Sequence, residues 1–257
     1  MRAIIKKNIN GWIIVDKQTG ITSRQVVTKI SKILNLKKVG HGGTLDPLAT
    51  GILPIAIGEA TKVISLVQSK EKKYAFIIKW GESTETDDSE GMILEISKAR
   101  PTHKEITSIL NCFIGNVFQK PPLYSAIKIN GQRSYKLARQ KIEIEHKLRK
   151  IKVYNLTLKK IIDVNSAEFE VTCGKGTYVR SLARDIAEKL NTKGHIMRLR
   201  RLSVGPFDEK DTIFIDFSKE IIHSRSVLSK LSPIETVLDD IPALVLNEKE
   251  ARQVKQG

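Results

Sequence analysis

The chain has 257 residues, 40% hydrophobic and 28% charged, a balance that suits a folded protein with its own core, so that disorder is not the default reading. Lys plus Arg outnumber Asp plus Glu by 44 to 28, a net charge of +16, which points to a polyanionic partner such as nucleic acid or an anionic surface. Two cysteines without a C-x-x-C partner (Cys112 and Cys173) and five scattered histidines speak against a disulfide framework and a metal site, and no stretch approaches the roughly 20 apolar residues of a membrane span.

In chain order, GWIIV (Gly11–Val15) is a β-branched run that predicts a strand. Thr22 and Ser23 can cap a following helix, whose apolar face is Val26, Val27, Ile30, Ile33 and Leu34. ILPIAIG (Ile52–Gly58) predicts a strand buried on both faces, with Pro54 placing it at an edge or a bulge. A short helix is expected over Ala60–Val67. In KKYAFIIKW (Lys72–Trp80), Tyr74, Phe76 and Ile78 alternate with Ala75, Ile77 and Lys79, which predicts a strand.

GESTETDDSEG, with five carboxylates and no cation, reads as a polar turn. A helix over Lys104–Asn111, a tight hairpin turn at Asn130-Gly131 and strands over Lys150–Lys160 and Ala167–Cys173 follow. Tyr178–Leu190 gives the clearest helix, with Val179, Leu182, Ala183, Ile186, Ala187 and Leu190 in one stripe and Arg180 and Arg184 off it. His195–Gly205 predicts another strand, and IPALVLNEKEARQVKQG at the end a strand and a helix. Without a regular βαβ repeat, the expected class is α+β: a mixed, largely antiparallel sheet flanked by helices.

Charge is uneven. Residues 128–160 hold eleven Lys or Arg against Glu143 and Glu145, a local excess of nine. This stretch is either a solvated basic surface or a nucleic-acid contact. HGGTLDPLATG (His41–Gly51) sets one carboxylate, Asp46, between a Gly-Gly pair and a proline. Pro47 pushes Asp46 toward extended backbone, so the carboxylate sits on a stiff loop. Either Asp46 caps its own turn or it is held for chemistry; a phosphate-binding P-loop lacks its Gly-Lys-Ser/Thr ending. CGKGTYVRSLARD (Cys173–Asp185) puts Tyr178 and Arg180 in a helix's first turn, where the helix dipole disfavours a cation. Either Arg180 is a solvated side chain on the outer face of the helix, or it has a local carboxylate partner, the expected one being Asp46 through a charge-assisted hydrogen bond.

GWIIVDKQTGITS, VGHGGTLDPLATGILPIAIGEATK, KKYAFIIKWGESTETDDSEG and CGKGTYVRSLARD, in this order, closely resemble the bacterial tRNA pseudouridine-55 synthases, the TruB family. The likeness spans roughly residues 11–205 and continues more weakly beyond. It implies the pseudouridine synthase fold, with an active-site cleft across the sheet. It also implies isomerisation of a uridine in the T-arm loop of tRNA by base flipping, without cofactor or metal, in a cytoplasmic and monomeric enzyme.

The family's motifs assign Asp46 as the catalytic aspartate and His41 as the histidine against the displaced bases. Tyr74 stacks on the uracil and is a candidate proton acceptor. Tyr178 and Arg180 lie beside the aspartate, Leu199 lines the uracil pocket, and Lys17 lies near the site. DKQTG replaces the usual D-K-P-x-G, so Gln18 stands where that turn is stiffened by proline. Asp88 is expected to be structural. Residues 1–236 are expected to form the catalytic domain, with a basic tRNA-binding insertion around 123–150, and 237–257 to begin a truncated RNA-binding, PUA-like segment. The rival readings are a tRNA-folding chaperone, a basic ribosome-associated protein, and a relative acting on another RNA within a guided particle.

Overall fold

A computed structural model describes residues 9–129, 131–140, 142, 144–217, 224–242 and 244–256. The β-branched start becomes β1 (Gly11–Lys17), and Thr22 caps α1 (Ser23–Leu34) through a reciprocal capping box with Gln25. β2 (Val39–His41) and β3 (Thr50–Ile57) bracket the Asp46 loop. The helix expected over Ala60–Val67 is a 3-10 turn that passes into α2 (Ile64–Ser69). β4 (Lys72–Trp80) follows as expected.

The acidic stretch is more than a turn, because it forms a hairpin from β5 (Glu82–Thr84) and β6 (Ile93–Ile96). α3 (His103–Ile109) and β7 (Gly115–Gln119) lead to a small insertion of β8 (Lys128–Ile129), β9 (Gln132–Arg133) and α4 (Ser134–Arg139). β8 pairs with β9 across Gly131 at φ +83°, while Asn130 lies outside the described residues. β10 (Arg149–Asp163), β11 (Ser166–Cys173), α5 (Val179–Lys189), β12 (Gly194–Val204) and β13 (Thr212–Ile213) complete the body. α6 (Ser224–Leu228) and α7 (Glu248–Gln256) follow. No strand forms among the described residues of 241–247, where only the helical half of the expected pattern is realised.

Among the described residues, nine strands form the main sheet, in the order β13-β1-β3-β12-β4-β11-β10-β7, with β2 beside β3. Among these described strands, only the β1–β13 and β3–β12 pairs are parallel. Alternation sorts the side chains. Ile13, Val15, Leu53, Phe76, Ile78 and Phe169 face the main core, under Val26 and Ile30 of α1 and Ile186 of α5. Trp12, Ile14, Ile52 and Ala56 face the opposite side, against Phe207 and Val237. Phe76 stacks on Phe169 at 5.4 Å and Trp80 meets the same ring edge-on at 6.1 Å, the offset and T-shaped arrangements that ring quadrupoles favour.

Pro54 corrects an expectation. It lies within an interior strand, opposite Ile14, and neither at an edge nor at a bulge. Its missing N–H does no harm, because β12 pairs with β3 only at Thr50 and Gly51 and β2 only at Ile55–Ile57. The boundary expected after residue 236 falls inside the turn Ile234–Val237, where Val237 is buried against the sheet.

Candidate active site

The loop 41–51 is held almost residue by residue. Gly42 N–H donates to the carbonyl of Pro54 (2.8 Å), and Leu45 exchanges hydrogen bonds with Ser23 Oγ through its N–H (2.8 Å) and its carbonyl (3.0 Å). The Pro47 carbonyl accepts from Gly20 N–H (2.8 Å) and from Lys17 Nζ (3.2 Å), and the Leu48 carbonyl from Thr19 Oγ1 (3.2 Å). Gly51, at φ +99°, packs so closely on β12 that a Cβ there would lie 2.2 Å from the Arg201 carbonyl oxygen, so no other residue fits without moving the backbone.

Two buried cations brace this loop. Lys17, fully buried, donates to the carbonyls of Gln18 (2.8 Å), Ile21 (2.6 Å) and Pro47. Its pKa falls to about 8, chiefly through burial, against the opposing pull of Asp46 and Glu90. Arg201, also buried, donates through Nε to the Ile52 carbonyl (2.7 Å) and through a terminal nitrogen to that of Gly43 (3.1 Å).

Asp46 is thereby left with its carboxylate about one-third exposed, its Oδ2 2.9 Å from Arg180 Nε. The partnership expected from the helix dipole is present, but as an ion pair, because the Nε–H is not aligned on the carboxylate. The other guanidinium nitrogens donate to the carbonyls of Thr86 (2.7 Å) and Tyr124 (2.9 Å). A second carboxylate, Asp88, lies 3.7 Å from Arg180 Nε and is almost fully buried. Its Oδ1 accepts from both Thr86 Oγ1 and Glu90 N–H, leaving Oδ2 toward Arg180, so the acidic hairpin serves to seat Arg180. One turn on, Arg184 pairs with Asp87 (2.7 Å) and Asp185 (2.9 Å).

Of the other expected residues, Tyr74 and Tyr178 feel the Asp46 charge, while His41 and Leu199 are placed by the strands that carry them. Tyr178 caps α5, its backbone bonded both ways to the Gln119 amide (2.9 and 3.1 Å), and burial raises its phenol pKa. Tyr74 stands on β4 opposite Arg201 of β12. Burial also raises its phenol pKa, the Arg201 guanidinium opposes that rise, and Asp46 adds to it. His41 sits at the loop's start with its Nδ1 buried and unpaired, and burial together with Arg201 lowers its pKa. Leu199 is buried opposite Phe76, two residues before Arg201 on the same face of β12.

A family model described as "TruB family pseudouridylate synthase (N terminal domain)" matches residues 31–179. The chain belongs to the TruB family of pseudouridylate synthases. A second family model, "tRNA pseudouridylate synthase B C-terminal domain", matches residues 180–239. The chain is 47% identical over 249 residues to the tRNA pseudouridine synthase B of Rhodospirillum rubrum, covering 97% of this chain and 81% of that protein. It is 45% identical to the corresponding protein of a Caulobacter strain, covering 97% and 80%. Among solved structures, the Cbf5-Nop10-Gar1 complex contains a chain of similar fold, with TM-score 0.73 and 30% identity over 96% of this chain and 67% of that one.

Within the TruB site, Arg201 was missed by sequence reasoning, as was the contact of Asp88 with Arg180. A signal for Arg201 existed: alternation along HIMRLRRLSVG sets it on the same inward face as Leu199. An arginine at an inward position requires a built set of acceptors. Among the described residues no group of three or more His, Cys, Asp or Glu is placed to hold a metal ion, and no helix is long and apolar enough to cross a membrane.

Proposed function

We propose that the protein isomerises the uridine at position 55 of tRNA, in the T-arm loop, to pseudouridine, with Asp46 as its catalytic carboxylate. The observation that carries this reading is the Asp46–Arg180 ion pair at 2.9 Å, set among Tyr74, Tyr178 and Lys17, whose pKa values all respond to the Asp46 charge. The names of the relatives support tRNA as the substrate class.

The reaction breaks the bond from N1 of uracil to C1′ of the ribose, turns the base, and joins C5 to C1′. The C5 proton leaves to a base and N1 regains one, so atoms and electrons balance and no redox partner is called for. An ionised carboxylate pinned by a guanidinium suits the electrophilic species formed when the glycosidic bond opens. Tyr74 stacks on the uracil and receives the C5 proton. Tyr178 and Leu199 keep water from the detached base.

A stacked uridine hides its glycosidic bond, so the base is flipped at a cost of a few kcal/mol, less in an RNA loop than in a duplex. His41 fills the vacated stack. The basic insertion around 123–150 grips the T-arm phosphates. The net charge of +16 favours a monomer by self-repulsion, acting on tRNA in the cytoplasm.

The test is to incubate unmodified tRNA with the protein and map pseudouridine. Conversion at the T-loop uridine by the wild type, and none by Asp46→Asn, is the expected result. Conversion by the Asn variant, with deamidation excluded, removes Asp46 from the mechanism.

A further inference from the structure

Arg201 is the largest charged side chain that the fold hides completely, 1% exposed on an interior strand of the sheet. A buried guanidinium is costly unless its donors are satisfied. Here they are spent on backbone, with no carboxylate ion-paired to it among the described residues. Nε meets the Ile52 carbonyl at 2.7 Å, and the terminal nitrogens reach Gly43 at 3.1 Å and Thr44 at 3.5 Å. These carbonyls lie on both sides of Asp46 in the chain.

The backbone of Arg201 is engaged as well. It pairs with Gly51 in the β3–β12 register and fills the space a Cβ would take there. Across the other edge of β12, Arg201 stands directly opposite Tyr74 on the same face, and its charge opposes the rise that burial causes in the phenol's pKa. The guanidinium thus works against the burial that holds the Tyr74 proton in place.

We propose that Arg201 is a positioning residue for the isomerisation: its guanidinium holds the backbone on both sides of Asp46 from the strand position directly opposite Tyr74, fixing carboxylate and proton acceptor relative to each other across the flipped base. This rests on the roles given above to Asp46 and Tyr74. A well-packed apolar side chain would fill the same space at lower desolvation cost, so packing alone does not call for a cation here.

The test uses the full-length protein and an unmodified tRNA carrying deuterium at C5 of the target uridine. The variants are Arg201→Lys, Tyr74→Phe and the double variant, each checked for its fold by circular dichroism. Arg201→Lys keeps a charge but loses the planar fork that spans several carbonyls. Its single-turnover rate is expected to fall about 100-fold, the scale of a small misplacement of reacting groups, while tRNA affinity stays within about threefold. Its deuterium isotope effect is expected to rise, because loss of the acceptor's orientation slows C5 proton removal in particular.

In the double variant the two losses are expected to overlap, since both act on one step. Multiplying losses, an unchanged isotope effect, or an Arg201→Lys rate within about threefold of wild type would each overturn the proposal. Should the Lys variant fail to fold, Arg201→Gln is read in the same way, and failure of both makes Arg201 a scaffold residue only. Wild type that leaves the uridine untouched removes the functional reading itself. Wild type that converts it, matched by Arg201→Lys, removes only the role of Arg201.

Discussion

Residues 41–51 and residues 123–149 both reach Arg180, the first through the carboxylate of Asp46 and the second through the carbonyl of Tyr124, yet they are built in opposite ways. In the first stretch only Thr44 is exposed, and buried Lys17 and Arg201 brace the backbone from two sides. Most described residues of the second stretch face solvent, its described lysines and arginines among them. Among its described residues, Ser134 Oγ links the Leu123 carbonyl and His146 Nε2 (2.9 Å). The difference suits the two tasks proposed for them. Bond breaking needs a carboxylate fixed to a fraction of an ångström, whereas holding an RNA backbone needs charge spread over a surface that can follow it.

The largest effect is expected where the loop meets the sheet. Gly51→Ala puts a Cβ 2.2 Å from the Arg201 carbonyl oxygen at a φ of +99°, and neither backbone can yield without disturbing β3 or β12. A loss of about 4 kcal/mol in stability is expected, at the upper end of single-substitution effects, measured by chemical denaturation. A loss under about 1 kcal/mol would show that the junction is softer than its geometry implies.

Next comes the brace itself. Lys17→Met removes the donor to Ile21 and Pro47 while keeping most of the side-chain volume. The single-turnover rate on tRNA is expected to drop about 100-fold with affinity nearly unchanged, as befits a group that positions the reacting carboxylate. A matching loss of affinity would instead place Lys17 in RNA binding.

For the open stretch the pattern is expected to invert. Changing Lys128, Lys136 and Lys147, all exposed, to Gln is expected to weaken tRNA binding about tenfold at moderate salt and to reduce the logarithmic salt slope by about 2. The rate at saturating tRNA should hold. An unaltered salt slope would mean that RNA does not lie along this stretch.

These contrasts also mark what could be read without a structure. The helices and strands with clean periodicity, such as VRSLARDIAEK of α5 and KKYAFIIKW of β4, were legible because packing and local preference agree in them. The Asp46–Arg180 partnership was legible because a cation in a helix's first turn conflicts with the dipole and needs an anion. Arg201 was not, since its acceptors are carbonyls of a loop some 150 positions earlier, and carbonyls carry no sequence signature. The placing of Pro54 inside the sheet depends on β12 and β2 leaving a gap beside it, which only the register reveals. Asp88 was read as structural because nothing in the acidic hairpin shows that it turns back onto α5.

The subtlest expectation concerns the same lysine through pH. Burial brings Lys17 from the usual lysine value near 10.5 down to about 8, so between those two values the unfolded chain carries a proton that the folded one has released. Stability then rises with pH across that window, because the slope follows the excess of protons on the unfolded state. Below about pH 8 the lysine is charged in both states and its burial cost stands in full. Relative to Lys17→Met, in which this group is absent, wild-type stability is expected to gain about 1 kcal/mol between pH 8 and pH 9. Paired denaturation curves at the two pH values measure it. Subtracting the variant removes contributions from other buried lysines, Lys72 among them, whose pKa is also lowered to about 8. A flat difference would mean that Lys17 keeps its proton at the ordinary lysine value, and that its cation braces the aspartate loop undiminished into alkaline solution.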